Sequence, residues 1–324
     1  MNIQDIFNLV APQIREVEEE LRRQAGSHVF LIRRIGEYLQ SGGGKRLRPV
    51  VMVLSSRLCG FEGPEVIRLA AVVELIHTAT LVHDDIIDNA DLRRGRPSVN
   101  ASWGNGITVL MGDWLFMTSI GLALSQRDFR ILEVLTNVTR NMVEGELLQM
   151  ELHGKMDITE SQHLEISEYK TARLFSACSG MGAILSEADP QRVEDLESYG
   201  RNLGMAFQLA DDLLDFTSRP EVLGKPVIHD LREGKVTLPI IYLLEDGCPS
   251  YLDKVNAAIQ ENGREDLAKQ DLLRLIAETR TLDRARARAI GFSEKAKESL
   301  AGFPDSVAKK ALLGLADFVV SRNS

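Results

Sequence analysis

Hydrophobic residues recur at three- and four-residue steps along most of the chain, the spacing that places them on one face of an α-helix. Between residues 3 and 25 they fall at Ile3, Ile6, Phe7, Val10, Ile14, Val17 and Leu21, with charged residues between them. Alternation with a period of two, which indicates strands, is nearly absent. The pattern therefore predicts an all-α protein.

Glycine and proline mark where the predicted helices begin and end. A Gly-rich break at residues 41–44 precedes a helix from about Arg48, and Gly63-Pro64 starts the next helix, which runs to about Asn89. Further helices are expected at roughly 107–125, 128–153, 162–186, 190–219, 235–246, 250–261, 265–298 and 305–321.

The segments between these helices are short or polar. Residues 91–106 and 218–235 contain many turn-forming residues, so we expect loops there. Thr159 and Gln162 fit a capping box ahead of the helix at 162–186. Because no repeat or interdomain linker interrupts the chain, we expect a single domain of residues 1–324.

Composition narrows the classes of function. The 324 residues carry a formal net charge of −9, which argues against a nucleic-acid-binding protein. The three cysteines show no CxxC spacing and suit a reducing cytoplasm. We find no signal peptide and no continuous apolar run of membrane-spanning length, so we expect a cytoplasmic protein without a transmembrane segment.

Two aspartate clusters of identical spacing interrupt apolar helical stretches. They are Asp84-Asp85-Ile86-Ile87-Asp88 and Asp211-Asp212-Leu213-Leu214-Asp215. In each, the first and last carboxylates share one helix face, about one turn apart. One such cluster alone would most often be a solvated helix face. Two copies at the ends of apolar helices indicate two halves of one site, since uncompensated carboxylates there would be costly.

Carboxylates held this close need a cation, and oxygen ligands at this spacing suit Mg²⁺. Mg²⁺ keeps several waters and binds readily to phosphate oxygens. The sequence also supplies cations for phosphate, in Gly-rich or loop segments close to the aspartates: Lys45, Arg46, Arg48, Arg93, Arg94, Arg96, Lys170, Lys225 and Lys235. We therefore expect a site in which Mg²⁺ bridges the aspartates to a polyphosphate.

At these residues the chain resembles the polyprenyl synthetase family of trans-isoprenyl diphosphate synthases, and among them the long-chain synthases of octaprenyl, heptaprenyl and solanesyl diphosphate. The resemblance runs from Gly43 to about Tyr242. The motifs that carry it are Gly43-Gly44-Lys45-Arg46-Leu47-Arg48-Pro49, the two aspartate clusters, Asp91-Leu92-Arg93-Arg94-Gly95, Gln208, Gly224-Lys225-Pro226 and Gly234-Lys235.

The resemblance implies an isoprenoid-synthase-type helical bundle around a central apolar cavity, and it implies roles for particular residues. Asp84, Asp88 and Asp211 would ligate Mg²⁺, with Asp215 a weaker candidate and Asp85 and Asp212 supporting them. Isopentenyl diphosphate would be held by Lys45, Arg48, His77 and Arg94. The allylic diphosphate would be held by Arg93, Lys170, Thr171, Gln208, Lys225 and Lys235. Asp84, Asp88, Arg93, Lys170, Asp211 and Lys235 would act directly in catalysis.

The reaction implied is ionisation of an allylic diphosphate such as farnesyl diphosphate, attack by the double bond of isopentenyl diphosphate, and proton loss to the released diphosphate. The family further implies about three Mg²⁺ ions, a homodimer and a product handed to the membrane. A long product would suit a quinone side chain.

Product length is expected to depend on the residues one turn before Asp84. In the family an aromatic residue there gives short products, whereas Ala79 and Thr80 are small. Growth could then pass toward Ile76, with Met111, Trp114, Phe116 and Met117 as candidates for the cavity floor or simply for the core. We expect octaprenyl diphosphate or a near neighbour, ahead of geranylgeranyl and farnesyl diphosphate.

Other classes fit fewer of these residues. A di-iron carboxylate protein could use two Glu-x-x-His pairs, Glu74 with His77 and Glu160 with His163, but it would leave the aspartates and arginines without a role. A terpene cyclase would share the fold but lacks the second aspartate cluster. A helical phosphohydrolase built on His83-Asp84, or an inactive partner subunit, is also less consistent with the intact motifs.

Overall fold

A computed structural model describes residues 1–93, 95–217, 228–245, 247–259 and 265–321, with only the backbone described at residues 265 and 266. Helices dominate the described residues. They are α1 (Ile3–Gln24), α2 (Phe30–Ser41), α3 (Leu47–Leu58), α4 (Pro64–Ile87), α5 (Val99–Trp103), α6 (Asn105–Leu124), α7 (Phe129–Leu152), α8 (Glu160–Ser167), α9 (Arg173–Leu185), α10 (Pro190–Thr217), α11 (His229–Arg232), α12 (Leu238–Glu245), α13 (Pro249–Ile259), α14 (Glu265–Glu278), α15 (Thr281–Ser299) and α16 (Val307–Ser321). The all-α prediction is confirmed.

Several helix starts follow directly from local sequence. The Asn2 side chain accepts a hydrogen bond from the Asp5 N–H, and the Asp5 side chain accepts one from the Asn2 N–H, which forms a capping box for α1. The predicted capping box of Thr159 and Gln162 begins α8. Pro64 occupies the first turn of α4, where a missing N–H costs nothing.

Several regions differ from the predicted elements, including α2, which is not among the predicted helices, and α11, which lies in the expected loop at 218–235. The expected loop at 91–106 contains a two-stranded antiparallel hairpin, β1 (Leu92–Arg93) and β2 (Arg96–Pro97), followed by α5 and the start of α6. The expected helix at 265–298 is two helices, α14 and α15, separated at Arg280, which has a left-handed backbone. The expected helix at 162–186 contains a π-helical segment at Glu168–Ala172.

Contacts between residues divide the chain into two compact units, each built from several segments. Unit 1 comprises Met1–Thr139, Ala177–Glu197 and Gly302–Gly314, and unit 2 comprises Arg140–Ser176, Ser198–Ala301 and Leu315–Ser324. Helices α7, α9, α10 and α16 contribute residues to both. The assignment of residues 1–324 to a single domain stays a prediction.

In unit 1, α4 is the central element and packs against α1, α3 and α6. Its residues from Leu69 to Ile76 are almost completely buried. The approach of α6 is close at Gly112, where a side chain would collide with the ring of His83. Burial of this apolar surface holds the end of α4, and thus the first aspartate cluster, in place.

In unit 2, the core forms around α12, which packs against α8, α13, α14 and α15. Its buried members include Ile240, Tyr242 and Leu243, together with Leu209 and Leu213 of α10. Because Leu209 and Leu213 lie within four residues of Asp211, this core fixes the turn of α10 that carries the second aspartate cluster.

Two helices, α4 and α6, are long and apolar enough to cross a membrane by length and composition alone. The apolar window of α4 is 61% buried, as in the core helix of a globular unit, whereas that of α6 is 39% buried. A buried core helix meets the same criterion, so α4 needs no membrane to explain its composition.

Candidate functional site

The first aspartate cluster lies at the C-terminal end of α4 in unit 1. Asp88 caps the helix, and its N–H donates a hydrogen bond of 2.8 Å to the Asp84 carbonyl, so helical geometry extends through both residues. Asp84 and Asp88 are therefore on one face, as predicted, and both are half-buried. Carboxylate oxygens one turn apart fit the ligand preferences of Mg²⁺.

The middle residue of this cluster has a different environment. Asp85 is only 1% exposed, and its carboxylate accepts a hydrogen bond from Nε of Arg93 in β1. Burial raises the pKa of Asp85, and the nearby Arg93 guanidinium opposes this rise. Asp85 thus fixes the position of Arg93, as expected for a residue that supports the site. Arg94, the next residue, lies outside the described residues.

The glycine-rich segment between α2 and α3 makes a sharp turn. Gly43 has φ of 64°, a conformation that favours glycine, and Arg46 adopts the left-handed region at φ 48°. The Arg46 guanidinium donates to the buried carboxylate of Glu74 at 2.8 Å, which offsets that strain. Lys45 is exposed and Arg48 half-buried in the first turn of α3. Arg46 therefore attaches the turn to α4.

His77 and the residues predicted to set product length follow one another on α4. Ile76 is fully buried, Ala79 is 2% exposed, and Thr80 is half-buried. The Thr80 hydroxyl donates to the His77 carbonyl at 2.9 Å, so it is held against its own helix. Among the floor candidates on α6, Met111 is buried, Trp114 and Phe116 are half-buried, and Met117 is 60% exposed.

The second aspartate cluster lies on α10 in unit 2 and is arranged differently from the first. Asp211 is exposed. Asp212 is buried and bonds to Nε2 of His163 at 3.0 Å and to Nε2 of Gln208 at 2.8 Å. Asp215 is also buried, and its two oxygens accept from the N–H groups of His229 and Asp230 at 3.1 and 3.2 Å.

Asp215 therefore acts as an N-terminal cap for the short helix α11. Both of its carboxylate oxygens are directed at backbone N–H groups, which carry partial positive charge at a helix start. The cap could not be read from sequence because its partners are 14 and 15 residues away.

Lys170 and Thr171 lie in the π-helical segment Glu168–Ala172, an irregularity that often marks functional positions. The Thr171 hydroxyl donates to Oε1 of Gln208 at 2.7 Å. Nζ of Lys170 contacts Glu146 at 2.5 Å and Gln149 at 3.0 Å, both on α7. Thr171, Gln208, Asp212 and His163 thus form one continuous hydrogen-bonded chain within unit 2.

Lys235 follows a second tight turn. Gly234 has φ of 72°, and a side chain there would contact His153, while its carbonyl accepts from the Gly154 N–H at 2.9 Å. Nζ of Lys235 bonds to Glu233 at 3.1 Å. Lys225, the other lysine predicted to bind the allylic diphosphate, lies outside the described residues.

Some of these supporting residues had weak or no sequence signal. His163 was visible only as half of a Glu-x-x-His pair, and its partner Asp212 is 49 residues away. The di-iron interpretation loses support, because Glu74 pairs with Arg46 and His163 pairs with Asp212. Among the residues that the structure describes, no three His, Cys, Asp or Glu side chains form a ready metal site.

Comparison with known proteins adds a decisive observation. The family model for polyprenyl synthetase matches residues 30–276. The chain belongs to the polyprenyl synthetase family. It is 40% identical to the octaprenyl diphosphate synthase of Escherichia coli (strain K12) over 324 residues, which is 100% of both chains.

Structural similarity within the polyprenyl synthetases is equally extensive. A polyprenyl synthase from Caulobacter crescentus CB15, solved with calcium and isoprenyl diphosphate, superposes with a TM-score of 0.92 at 37% identity and covers 100% of this chain and 98% of that one. In sequence, the chain is also 37% identical to a geranylgeranyl diphosphate synthase of Methanosarcina mazei over 292 residues, 88% of each chain.

These matches confirm the isoprenoid-synthase fold and the reaction class. The protein is a chain-elongating trans-prenyltransferase of prenyl diphosphates, and the family acts with a divalent metal ion. The alternatives of another class are not favoured.

Proposed function

We propose that the protein condenses isopentenyl diphosphate with farnesyl diphosphate, or a similar allylic primer, to give octaprenyl diphosphate or a near neighbour. The observation that carries this proposal is Ala79, a small side chain buried one turn before Asp84 on α4. One helical turn advances about 5 Å, close to the length of one isoprene unit. A small residue here leaves room for growth toward Ile76.

The test is incubation of purified protein with Mg²⁺, farnesyl diphosphate and labelled isopentenyl diphosphate, followed by chromatography of the products. Wild type is expected to give products near forty carbons. Ala79→Phe is expected to shorten them, and Ala79→Ser, which hardly changes the volume, is the control. Unchanged product length in Ala79→Phe would remove Ala79 from the proposal, and products no longer than geranylgeranyl diphosphate from wild type would refute it.

The residues that bind metal and substrate are part of the same proposal. Asp84, Asp88 and Asp211 hold Mg²⁺, with about three ions in all, which supply charge for the departing diphosphate. Support comes from burial, because Asp84 and Asp88 are half-buried and Asp211 is exposed, whereas the middle aspartates Asp85 and Asp212 are buried. Cavity walls that exclude water would protect the cation formed on ionisation.

The cations of the site divide by substrate. Lys45, Arg48, His77 and Arg94 bind isopentenyl diphosphate. Arg93, Lys170, Thr171, Gln208, Lys225 and Lys235 bind the allylic diphosphate, and Arg93, Lys170 and Lys235 stabilise negative charge as it leaves. The carboxylates beside Arg93, Lys170 and Lys235 support these roles because they orient each cation. The released diphosphate accepts the final proton.

We also propose a homodimer formed through α6. Leu110, Met117 and Leu124 follow at seven-residue steps on this helix and are 69%, 60% and 53% exposed. Such a stripe is the pattern of a helix that packs against a partner helix. Light scattering should show a dimer for wild type and a monomer for Met117→Glu. Leu267→Glu, at an equally exposed leucine of α14, should stay dimeric. A monomeric wild type would refute this assignment.

A cytoplasmic location with delivery of the product to a membrane completes the proposal. The product's hydrocarbon chain is insoluble in water, so its consumer must work at a bilayer. Cell fractionation should recover the enzyme in the cytoplasmic fraction and the labelled product in membranes. Enzyme that sediments with membranes after high-salt washing would contradict this location.

A further inference from the structure

Outside the residues already given a role, a compact cluster joins α2 to the hairpin β1–β2 in unit 1. We call Tyr38, Ser41, Arg96 and Trp103 the Tyr38 cluster. The Tyr38 hydroxyl donates to the Pro97 carbonyl at 2.6 Å. Nη1 of Arg96 donates to the Ser41 hydroxyl at 2.8 Å. Both hydrogen bonds therefore join α2 and β2.

Ring contacts reinforce these two hydrogen bonds. The guanidinium carbon of Arg96 lies 4.2 Å from the centroid of the Tyr38 ring, within the range of a cation–π interaction. The Trp103 ring of α5 packs against the Tyr38 ring in an edge-to-face arrangement, with ring centroids 5.0 Å apart. Tyr38 thus contacts two other segments, β2 and α5, through its hydroxyl and its ring, which leaves it little freedom to rotate.

The cluster joins the two cationic segments proposed for isopentenyl diphosphate. Ser41 ends α2 and is followed directly by the glycine turn that leads to Lys45 and Arg48. Arg96 lies two residues after Arg94. The hairpin has a separate attachment to α4, because Arg93 bonds to Asp85. Beyond these two elements, the Ser98 hydroxyl donates to the Ala90 carbonyl.

We propose that Tyr38 and Arg96 are positioning residues. They hold the glycine turn between α2 and α3 and the hairpin β1–β2 at one fixed separation, and so determine the affinity for isopentenyl diphosphate. A diphosphate bound by cations from two segments needs both in place at once.

Without the cluster, the hairpin keeps its attachment to α4 through Arg93 and the glycine turn keeps its own through Arg46 and Glu74. The direct link between hairpin and turn is lost, so their separation is less closely fixed. The inference rests on the proposed assignment of Lys45, Arg48 and Arg94.

Because the hairpin is attached both to α2 and to α4, loss of the cluster should change KM differently for the two substrates. Arg93, proposed to bind the allylic diphosphate, is paired with Arg96 across the hairpin but has its own bond to Asp85 of α4, which remains when the cluster is lost. Loss of the cluster should therefore raise KM for isopentenyl diphosphate while KM for the allylic substrate and kcat change little. A purely structural role would instead lower thermal stability and affect both substrates alike.

The experiment compares steady-state kinetics of Tyr38→Phe, Arg96→Lys and Arg96→Met with wild type. Arg96→Met removes the hydrogen bond and the charge, and we expect KM for isopentenyl diphosphate to rise about tenfold. Tyr38→Phe removes only one hydrogen bond and should raise it about threefold. Arg96→Lys keeps a cation over the ring and should fall between them.

Arg192→Met is the matched control. Arg192 also lies in unit 1, with its guanidinium 5.9 Å from the ring of Phe303, but it contacts neither cationic segment. Its KM values should equal those of wild type. The proposal is overturned if Arg96→Met and Tyr38→Phe keep the wild-type KM for isopentenyl diphosphate, or if KM for both substrates rises equally. A wild type with no prenyl transfer would instead refute the proposed function.

Discussion

The two aspartate clusters have the same spacing in sequence but are supported by different groups. In the first, the middle carboxylate, Asp85, is held by the cation Arg93. In the second, the middle carboxylate, Asp212, is held by the side chains of His163 and Gln208. The last residue also differs, since Asp88 ends its helix half-buried whereas Asp215 is buried as the cap of another helix.

This difference indicates that identical motifs need not contribute equal numbers of ligands. The first cluster has two half-buried carboxylates, Asp84 and Asp88, and its third carboxylate orients Arg93, the cation proposed to bind the allylic diphosphate. The second presents Asp211 and uses its other two carboxylates to organise unit 2. Substitutions at corresponding positions should therefore have unequal effects, and they test the comparison directly.

The largest effect is expected at Asp84. Because Asn cannot supply the same charge to Mg²⁺, Asp84→Asn should lower kcat by about 10³-fold, the scale of a lost charge-stabilising group. Steady-state kinetics at saturating Mg²⁺ measures this. Asp305→Asn, at a 93% exposed side chain in unit 1, is the control and should behave as wild type. A loss below tenfold at Asp84 would argue against it as a ligand.

A smaller loss of activity is expected at Asp85, with no loss of stability. Asp85→Asn removes the charge that orients Arg93, so kcat should fall about 10²-fold. Burial already disfavours the ionised carboxylate, as its raised pKa indicates, and the Arg93 side chain is 33% exposed and can be solvated, so the free energy of unfolding should change little. Thermal denaturation alongside kinetics tests both parts. A marked decrease in the melting temperature would contradict this account of Asp85.

The corresponding change in the second cluster should cost less activity. Asp212→Asn keeps an oxygen for Gln208 but loses the charge opposite His163, and we expect kcat/KM for the allylic substrate to fall about tenfold. His163→Gln, which retains a side-chain N–H donor, should fall less. Equal losses at Asp85 and Asp212 would mean that the two clusters work in the same way.

Asp215 should affect folding more than catalysis. Asp215→Ala removes both acceptors from the start of α11, and loss of a helix cap lowers the free energy of unfolding by about 1 kcal/mol. Asp215→Asn keeps one acceptor and should lose about half as much. Denaturant unfolding gives the values. If Asp215→Ala abolished activity in a protein of unchanged stability, Asp215 would be a metal ligand equivalent to Asp88.

The smallest effect is a decrease in the stability of unit 2 at alkaline pH, when Tyr242 in the core behind the second cluster ionises. Burial, together with a hydrogen bond to Glu160 at the start of α8, raises the pKa of Tyr242 to about 12. The neutral phenol is therefore favoured by folding. Its contribution is complete below pH 10 and is lost as pH rises through about 12. Absorbance titration should show one tyrosine fewer ionising near pH 12 in Tyr242→Phe, and an unchanged titration would contradict it.

Much of the fold could be predicted because its signals are local. Periodicity and capping residues gave α1 and α4 to within two or three residues, and the helix predicted at 162–186 corresponds to α8, the π-helical segment and α9 together. The division at Arg280 could not be predicted, since neither glycine nor proline occurs between residues 265 and 290, and a left-handed arginine has no sequence signature. There the tertiary packing of α15 against α12 overrides local preference.

The candidate site was predictable to a similar depth. Motif spacing indicated which face of α4 carries Asp84 and Asp88, and their roles as ligands stay predictions. The groups that hold the site were hidden because each pairs residues far apart in the chain. Arg46 with Glu74 and His163 with Asp212 are examples, separated by 28 and 49 residues. Such pairs depend on packing, which no local pattern encodes.

The π-helical segment Glu168–Ala172 has a consequence for how this sequence tolerates insertions and deletions. A π-helical turn accommodates one residue more than a regular α-helical turn, so the helix after it keeps its rotational phase. Removing a single residue there could restore an uninterrupted α-helix and leave α8 and α9 intact, yet turn Lys170 and Thr171 toward different neighbours. A one-codon deletion at this point would thus yield a well-folded protein with a misdirected lysine, a change that stability screens would pass and activity screens would reject.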